Sequence, residues 1–135
     1  MSGGSIKVST KCRVLCVDDH IDTGVMLTYL LGNSNFEVET ADTIEAALAL
    51  AESRDFELYI LDKRFPDGTG IELCRRLRTI VPDAPIIFYS GDAYQLHRDE
   101  ALEAGADAYV AKPAIDLLIK EVNALLEPAG CASVA

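Results

Sequence analysis

The stretch Val14-Leu15-Cys16-Val17-Asp18-Asp19 runs four apolar residues straight into two carboxylates. A continuous apolar run suits a strand covered on both faces, because a strand with one wet face would alternate. The pattern recurs further along the chain. Leu58-Tyr59-Ile60-Leu61 ends on Asp62, and Ile86-Ile87-Phe88-Tyr89 ends on Ser90-Gly91. Ala108-Tyr109-Val110-Ala111 is a weaker run followed by Lys112-Pro113. Phe36-Glu37-Val38-Glu39-Thr40 alternates, as a strand nearer an edge does.

Helical patterns lie between these runs. Val25, Met26, Tyr29 and Leu30 form one apolar stripe, closed by Gly32-Asn33 as a left-handed stop. Asp42 with Glu45 reads as a capping-box variant ahead of Ile44, Ala47, Leu48 and Ala51. Thr69 with Glu72 is a full capping box ahead of Leu73, Cys74, Leu77 and Ile80, and Pro82 ends the pattern. A fourth helix spans the region from Ala93 to Ala104 and stops at Gly105. A fifth carries Leu118, Val122 and Leu125 up to Pro128.

Five strands alternating with five helices predict an α/β fold, an open parallel sheet with helices on both faces. Eight units are needed for a closed barrel, and 135 residues do not hold them. One domain over residues 12–127 is expected, with flexible segments at 1–11 and 128–135.

Composition narrows the function classes. Lys and Arg total 12 against 22 Asp and Glu, a net charge of -10, so direct nucleic-acid binding is not expected. No apolar run reaches the ~18 residues of a membrane helix. The first residues lack a secretory apolar stretch, and a cytoplasmic location without a membrane partner is the expectation. Cys12, Cys16, Cys74 and Cys131 match no zinc or redox spacing, and read as small apolar packers in a reducing compartment.

In an open parallel sheet, ligands bind beyond the carboxyl ends of the strands. Asp18, Asp19, Asp62, Ser90 and Lys112 all follow strands, so they are placed along one rim. Taken alone, each is an ordinary cap or turn residue. Together, three carboxylates repel unless something cationic offsets them, and Lys112 offsets one charge. An all-oxygen set selects a hard ion such as Mg²⁺ or Mn²⁺. A carboxylate held beside such an ion, an ammonium and a hydroxyl has what phosphoryl transfer needs. No nucleotide-binding glycine loop is present, and Gly68-Thr69-Gly70 reads as a turn feeding a capped helix.

These motifs resemble the receiver domain of two-component response regulators, the CheY-like family. They are Val17-Asp18-Asp19, Leu61-Asp62 with Pro66-Asp67-Gly68-Thr69-Gly70, Tyr89-Ser90-Gly91, and Tyr109-Val110-Ala111-Lys112-Pro113. The resemblance covers about residues 12 to 127 and implies a flavodoxin-like sheet of order 2-1-3-4-5. It implies that Asp62 accepts a phosphoryl group from the phosphohistidine of a histidine kinase or phosphotransfer domain. Mg²⁺ would be held by Asp18, Asp19, Asp62 and the backbone carbonyl of Arg64. Ser90 and Lys112 would bind the phosphoryl group, Tyr109 would turn inward as a switch, and Pro113 would follow a cis peptide bond. The face of the fourth helix, fifth strand and fifth helix would meet a downstream protein target or a second copy of the chain.

Lys63 and Arg64 depart from the family's usual apolar residues, and an Arg64–Asp92 pair is expected to modulate the phosphoryl lifetime. His20 is expected to be a solvent-exposed helix-start residue. Such a protein is no enzyme toward other molecules, though it promotes its own phosphorylation and dephosphorylation. The competing readings are a phosphorylation-independent scaffold on the same fold, a flavin-binding module, and an Mg²⁺-dependent phosphatase. Against the phosphatase, His20 stands where the haloacid dehalogenase pattern places its second Asp. With no output segment after Pro128, the chain reads as a stand-alone regulator or a fragment.

Overall fold

The computed structural model describes residues 12–32, 36–91 and 95–131. The strands are β1 (Cys12–Val17), β2 (Phe36–Ala41), β3 (Leu58–Leu61), β4 (Arg64–Phe65), β5 (Gly68–Thr69), β6 (Ile86–Ser90) and β7 (Ala108–Ala111). The helices are α1 (Ile21–Leu31), α2 (Ile44–Ser53), α3 (Gly70–Ile80), α4 (Gln95–Glu103) and α5 (Ile115–Leu126). The main sheet is parallel in the order β2-β1-β3-β6-β7. β4 and β5 form a separate two-residue hairpin. With that hairpin set aside, the order is the expected 2-1-3-4-5.

Strand alternation divides the interior into two cores. Leu15 and Val17 of β1 face one way with Tyr59, Leu61, Ile86 and Phe88, against α2 and α3 residues such as Leu48, Leu73 and Leu77. Val14 and Cys16 face the other way with Leu58, Ile60 and Ile87, against Leu27 of α1 and Leu118 and Val122 of α5. The central strands therefore have no wet face, and their unbroken apolar runs follow from that. At the edge, β2 keeps its alternating sequence, with Phe36 and Ala41 buried and Glu37 and Thr40 exposed.

Several local expectations are corrected. The buried positions of α1 are Leu27 and Leu31, while Val25 and Tyr29 are exposed. Apolar residues occur on more than one face of this helix, so spacing alone does not choose between stripes. Gly32 is not left-handed (φ -77°) and closes α1 with its N–H donating to the Thr28 carbonyl; Asn33 lies outside the described residues. The N-cap of α2 is Thr43, not Asp42, and its hydroxyl accepts from the Ala46 N–H at 3.1 Å. The expected Thr69 cap of α3 is present, accepting from Glu72 N–H at 3.2 Å.

The start of α2 has a second partner. Asp67, in the hairpin turn, accepts from Ile44 N–H at 2.8 Å and from Glu45 N–H at 3.1 Å. These N–H groups hold its carboxyl below the usual range, the Ile44 bond contributing most. A depressed carboxyl adds stability above its unfolded pKa and loses it as pH falls through the folded value. Asp67→Ala is therefore expected to lower the thermal midpoint at neutral pH, with the deficit shrinking in acid. Melting both proteins across that pH range checks it.

The chain end also departs from expectation. Residues Glu127–Ala129 form a 3₁₀ turn, and Cys131 is disulfide-bonded to Cys12 with a Cα–Cα separation of 6.0 Å. Cys12 and Cys131 are thus not apolar packers, and residues 128–131 are tied back to β1 where a loose tail was expected. Cys16 and Cys74 remain free and buried, and burial raises their thiols to about 12 and about 11. The segment 1–11 lies outside the described residues.

Candidate functional site

The strands end at a common rim, and backbone hydrogen bonds carry the sheet one residue further there. Asp18 N–H donates to Ala41 O at 3.0 Å, Asp62 N–H to Val17 O at 2.9 Å and Lys112 N–H to Ser90 O at 2.7 Å. Each rim residue is thereby held by its neighbouring strand rather than by a free loop. Among the described residues, the buried polar or charged side chains are Asp18, Asp62 and Ser90, all at this rim.

The ammonium of Lys112 lies 2.8 Å from Asp18 Oδ2, 3.2 Å from Thr23 Oγ1 and 3.7 Å from Asp62 Oδ2. Asp62 Oδ1 accepts from Lys63 N–H at 2.7 Å. Asp19 is more exposed and completes the carboxylate group with His20. Lys112-Pro113 is a cis peptide bond.

The two inner carboxyls titrate in opposite directions. Burial and the neighbouring Asp18 raise Asp62, outweighing the Lys63 N–H and Lys112. Burial also opposes ionisation of Asp18, but hydrogen bonds from Lys112 and His20 outweigh it and hold that carboxyl low. The same contacts with Asp18 and Asp62 raise Lys112 against its own burial. Negative charge exceeds what Lys112 neutralises. One oxygen from each of Asp18, Asp19 and Asp62 lies within a cluster 4.8 Å across, so the set fits a hard divalent ion.

Sequence reasoning missed several neighbours. His20 is exposed, as expected, but its Nδ1 reaches over the carboxylates, 2.9 Å from Asp18 Oδ1. Thr23 faces Lys112 because the first turn of α1 passes over the rim. Lys63 Nζ lies 2.7 Å from His97 Nδ1, joining the residue after Asp62 to α4. The adjacent Asp-Asp-His run was the one local signal for His20, and no spacing rule points to His97.

Tyr109 lies inward, its ring stacked on Phe88 at 6.1 Å with Arg98 5.5 Å from its centroid. Arg64 is exposed in the hairpin strand β4. Asp92, its expected partner, lies outside the described residues.

Gly70 brings α3 against this rim, its N–H donating to Lys63 O at 2.7 Å. A Cβ there would collide with the Asp62 carbonyl oxygen and stand 2.8 Å from Phe88 Cε2 and 3.2 Å from Lys63 Cα. Backbone atoms cannot step aside as a side chain can. Gly70→Ala is expected to cost about 2 kcal/mol through this overpacking, read as a lower urea midpoint.

A doubly wound sheet of this order, with this acidic rim, is the CheY-like arrangement. The chain belongs to the response regulator receiver domain family of two-component systems, whose family pattern matches residues 14–123. The transcriptional regulatory protein CusR of Escherichia coli (strain K12) is 36% identical over 115 residues, 84% of this chain and 51% of CusR. A CheY-like receiver domain protein from Methanospirillum hungatei JF-1 superposes with a TM-score of 0.80 at 33% identity, covering 90% of this chain and 98% of that one. A Burkholderia pseudomallei response regulator, solved with a phosphorylated aspartic acid, a calcium ion and citrate, gives a TM-score of 0.76 at 28% identity, covering 89% and 72%. The chain spans about half the length of the curated relatives it matches.

Proposed function

We propose that Asp62 accepts a phosphoryl group from the phosphohistidine of a histidine kinase or phosphotransfer domain. The supporting observation is the position of its carboxylate, 3.7 Å from Lys112 Nζ in a rim where Lys112 also pairs with Asp18 at 2.8 Å. An Asp62 oxygen attacks phosphorus, the P–N bond breaks with its electron pair left on nitrogen, and the imidazole leaves neutral after protonation by solvent. Lys112 holds positive charge beside the oxygens that become more anionic, and Ser90 at the end of β6 donates its hydroxyl to one of them.

Asp18, Asp19, Asp62 and the Arg64 carbonyl would hold Mg²⁺ or Mn²⁺, which when bound neutralises charge on the transferring group. The Burkholderia relative, solved with a phosphorylated aspartic acid, supports reading an aspartate as the acceptor.

The donor protein has an apolar surface beside the rim to meet. Ile21, Val25 and Tyr29 repeat at four-residue spacing on α1 and are 82%, 63% and 86% exposed. The phosphoryl dianion then makes charge-assisted hydrogen bonds to Ser90 and Lys112, biasing the face of α4, β7 and α5 toward one arrangement. Tyr109 on β7 belongs to that face. A downstream protein or a second copy of the chain reads the change. Arg64, exposed in β4, sets access of water to the acyl phosphate. The protein acts on no separate substrate and works beside its kinase; none of the described helices is long and apolar enough to cross a membrane.

Acetyl phosphate with Mg²⁺ provides the test. A mass gain of one phosphoryl group per chain is expected, with a matching change in tyrosine environment on adding beryllofluoride. Catalytic hydrolysis of phosphate esters would favour the phosphatase reading, and no response to either reagent would favour the scaffold.

A further inference from the structure

His20 stands where the chain enters α1, as the extended N-cap residue (φ -94°, ψ 112°). Its backbone N–H donates to Asp18 Oδ1 at 2.8 Å, which holds the residue against the rim. The imidazole leans the same way. Nδ1 lies 2.9 Å from Asp18 Oδ1, 3.2 Å from Asp19 Oδ1 and 3.5 Å from Asp62 Oδ2, while the side chain as a whole is 68% exposed. One ring nitrogen and one oxygen from each carboxylate lie within 4.8 Å of one another.

Those separations have a meaning in coordination chemistry. Donors about 2.1 Å from one small divalent ion stand about 3.0 Å apart when adjacent in an octahedron and about 4.2 Å apart when opposed. All three nitrogen–oxygen separations fall nearer the adjacent value. One ion that takes oxygens from the three carboxylates therefore has the imidazole nitrogen as a neighbouring donor.

We propose that His20 is a direct nitrogen donor of the divalent-cation site, turning its preference from Mg²⁺ toward imidazole-binding first-row ions such as Co²⁺ and Ni²⁺. The inference rests on Asp18, Asp19 and Asp62 being cation ligands. Mg²⁺ takes oxygen donors and keeps much of its water, so a ring nitrogen adds little to its binding. The later ions gain from imidazole, in the order of their affinity for nitrogen. In the ion-free rim Nδ1–H donates to Asp18, so an ion bound at Nδ1 takes the place of that proton, which moves to Nε2 or to solvent. A histidine that merely caps Asp18 keeps the proton and leaves ion choice unchanged, and this separates the two roles.

The test uses the whole protein and its His20→Ala and His20→Gln variants, with folding checked by circular dichroism. Mn²⁺ is titrated by electron paramagnetic resonance, and the bound ion is examined by pulsed resonance for coupling to ¹⁴N of a coordinated imidazole. Calorimetry gives the Co²⁺ and Mg²⁺ affinities. The wild type is expected to show imidazole coupling that both variants lack. Co²⁺ binding is expected to weaken about tenfold or more in the variants, the usual scale for losing a metal-site partner, with Mg²⁺ binding shifting far less. Bound Mn²⁺ without nitrogen coupling, or equal weakening of Co²⁺ and Mg²⁺, overturns the role of His20 and leaves the carboxylate site standing. Failure of the wild type to bind Mn²⁺ overturns the carboxylate site itself, and the role of His20 with it.

Discussion

Asp62→Asn is expected to abolish phosphoryl uptake from acetyl phosphate and, in the presence of a chelator, to make the protein more stable by about 1 to 2 kcal/mol. The loss follows because an amide oxygen is no nucleophile toward phosphorus. The gain follows from the charges. Burial and Asp18 raise the Asp62 carboxyl, so the folded protein holds that proton to higher pH than the unfolded chain does. Where the folded state binds more protons, stability falls as pH rises. The Asp62 contribution is therefore greatest below the unfolded carboxylate range and declines as pH climbs through the folded value. The substituted amide carries no charge at any pH, and it donates to Asp18 where the ionised carboxylate cannot. Asp18 behaves oppositely, stabilising above its unfolded pKa and losing that as pH falls through its depressed folded value. The variant should thus exceed the wild type near neutrality and converge with it in acid. Added Mg²⁺ should narrow the difference, because a ligand that binds the folded wild type stabilises it. Urea unfolding with chelator and with Mg²⁺, beside mass spectrometry after acetyl phosphate, reads all of this. A variant less stable than wild type in chelator would show that the rim does not strain against its own charge.

Much of the architecture was readable because the central strands are buried on both faces. Val14–Val17, Leu58–Leu61 and Ile86–Tyr89 had to be apolar throughout, and each run ends where its polar rim residue begins. The gathering of Asp18, Asp19, Asp62 and Lys112 was readable for the same reason, since strand ends in a parallel sheet share one edge. What escaped was contact made across the chain. Asp67 caps α2 from 23 positions beyond Ile44, and no local capping rule reaches that far. Asp42 had the residue type of a cap, yet Thr43 holds the capping geometry. On α1, apolar residues lie on several faces, so the buried pair Leu27 and Leu31 was not distinguishable from the exposed Val25 and Tyr29. His20 was read as solvent-facing from its place at a helix start. That holds for most of its ring but not for Nδ1.

Reducing the Cys12–Cys131 bond is expected to lower stability by about 3 to 4 kcal/mol while leaving phosphoryl uptake unchanged in the folded protein. The bond closes a loop across 119 positions of sequence. Loop-closure entropy removed from the unfolded chain grows with the logarithm of that length, which puts this bridge toward the upper end of the usual range. Position explains the second half of the expectation. Cys12 begins β1, whereas Asp18 follows its other end, so the whole strand separates the bond from the rim. Both ends of β1 are also held independently, through pairing with β2 from Cys12↔Phe36 to Val17↔Ala41 and with β3 from Val14↔Leu58 to Val17↔Leu61. Reduction thus relaxes the unfolded ensemble without loosening the strand that carries Asp18 and Asp19. Cys131→Ser supplies the control: its urea midpoint should match that of the reduced wild type and be insensitive to reductant. Equal midpoints for oxidised and reduced wild type would mean the bridge contributes nothing, and a loss of phosphoryl uptake in folded Cys131→Ser would mean the two ends of β1 are coupled.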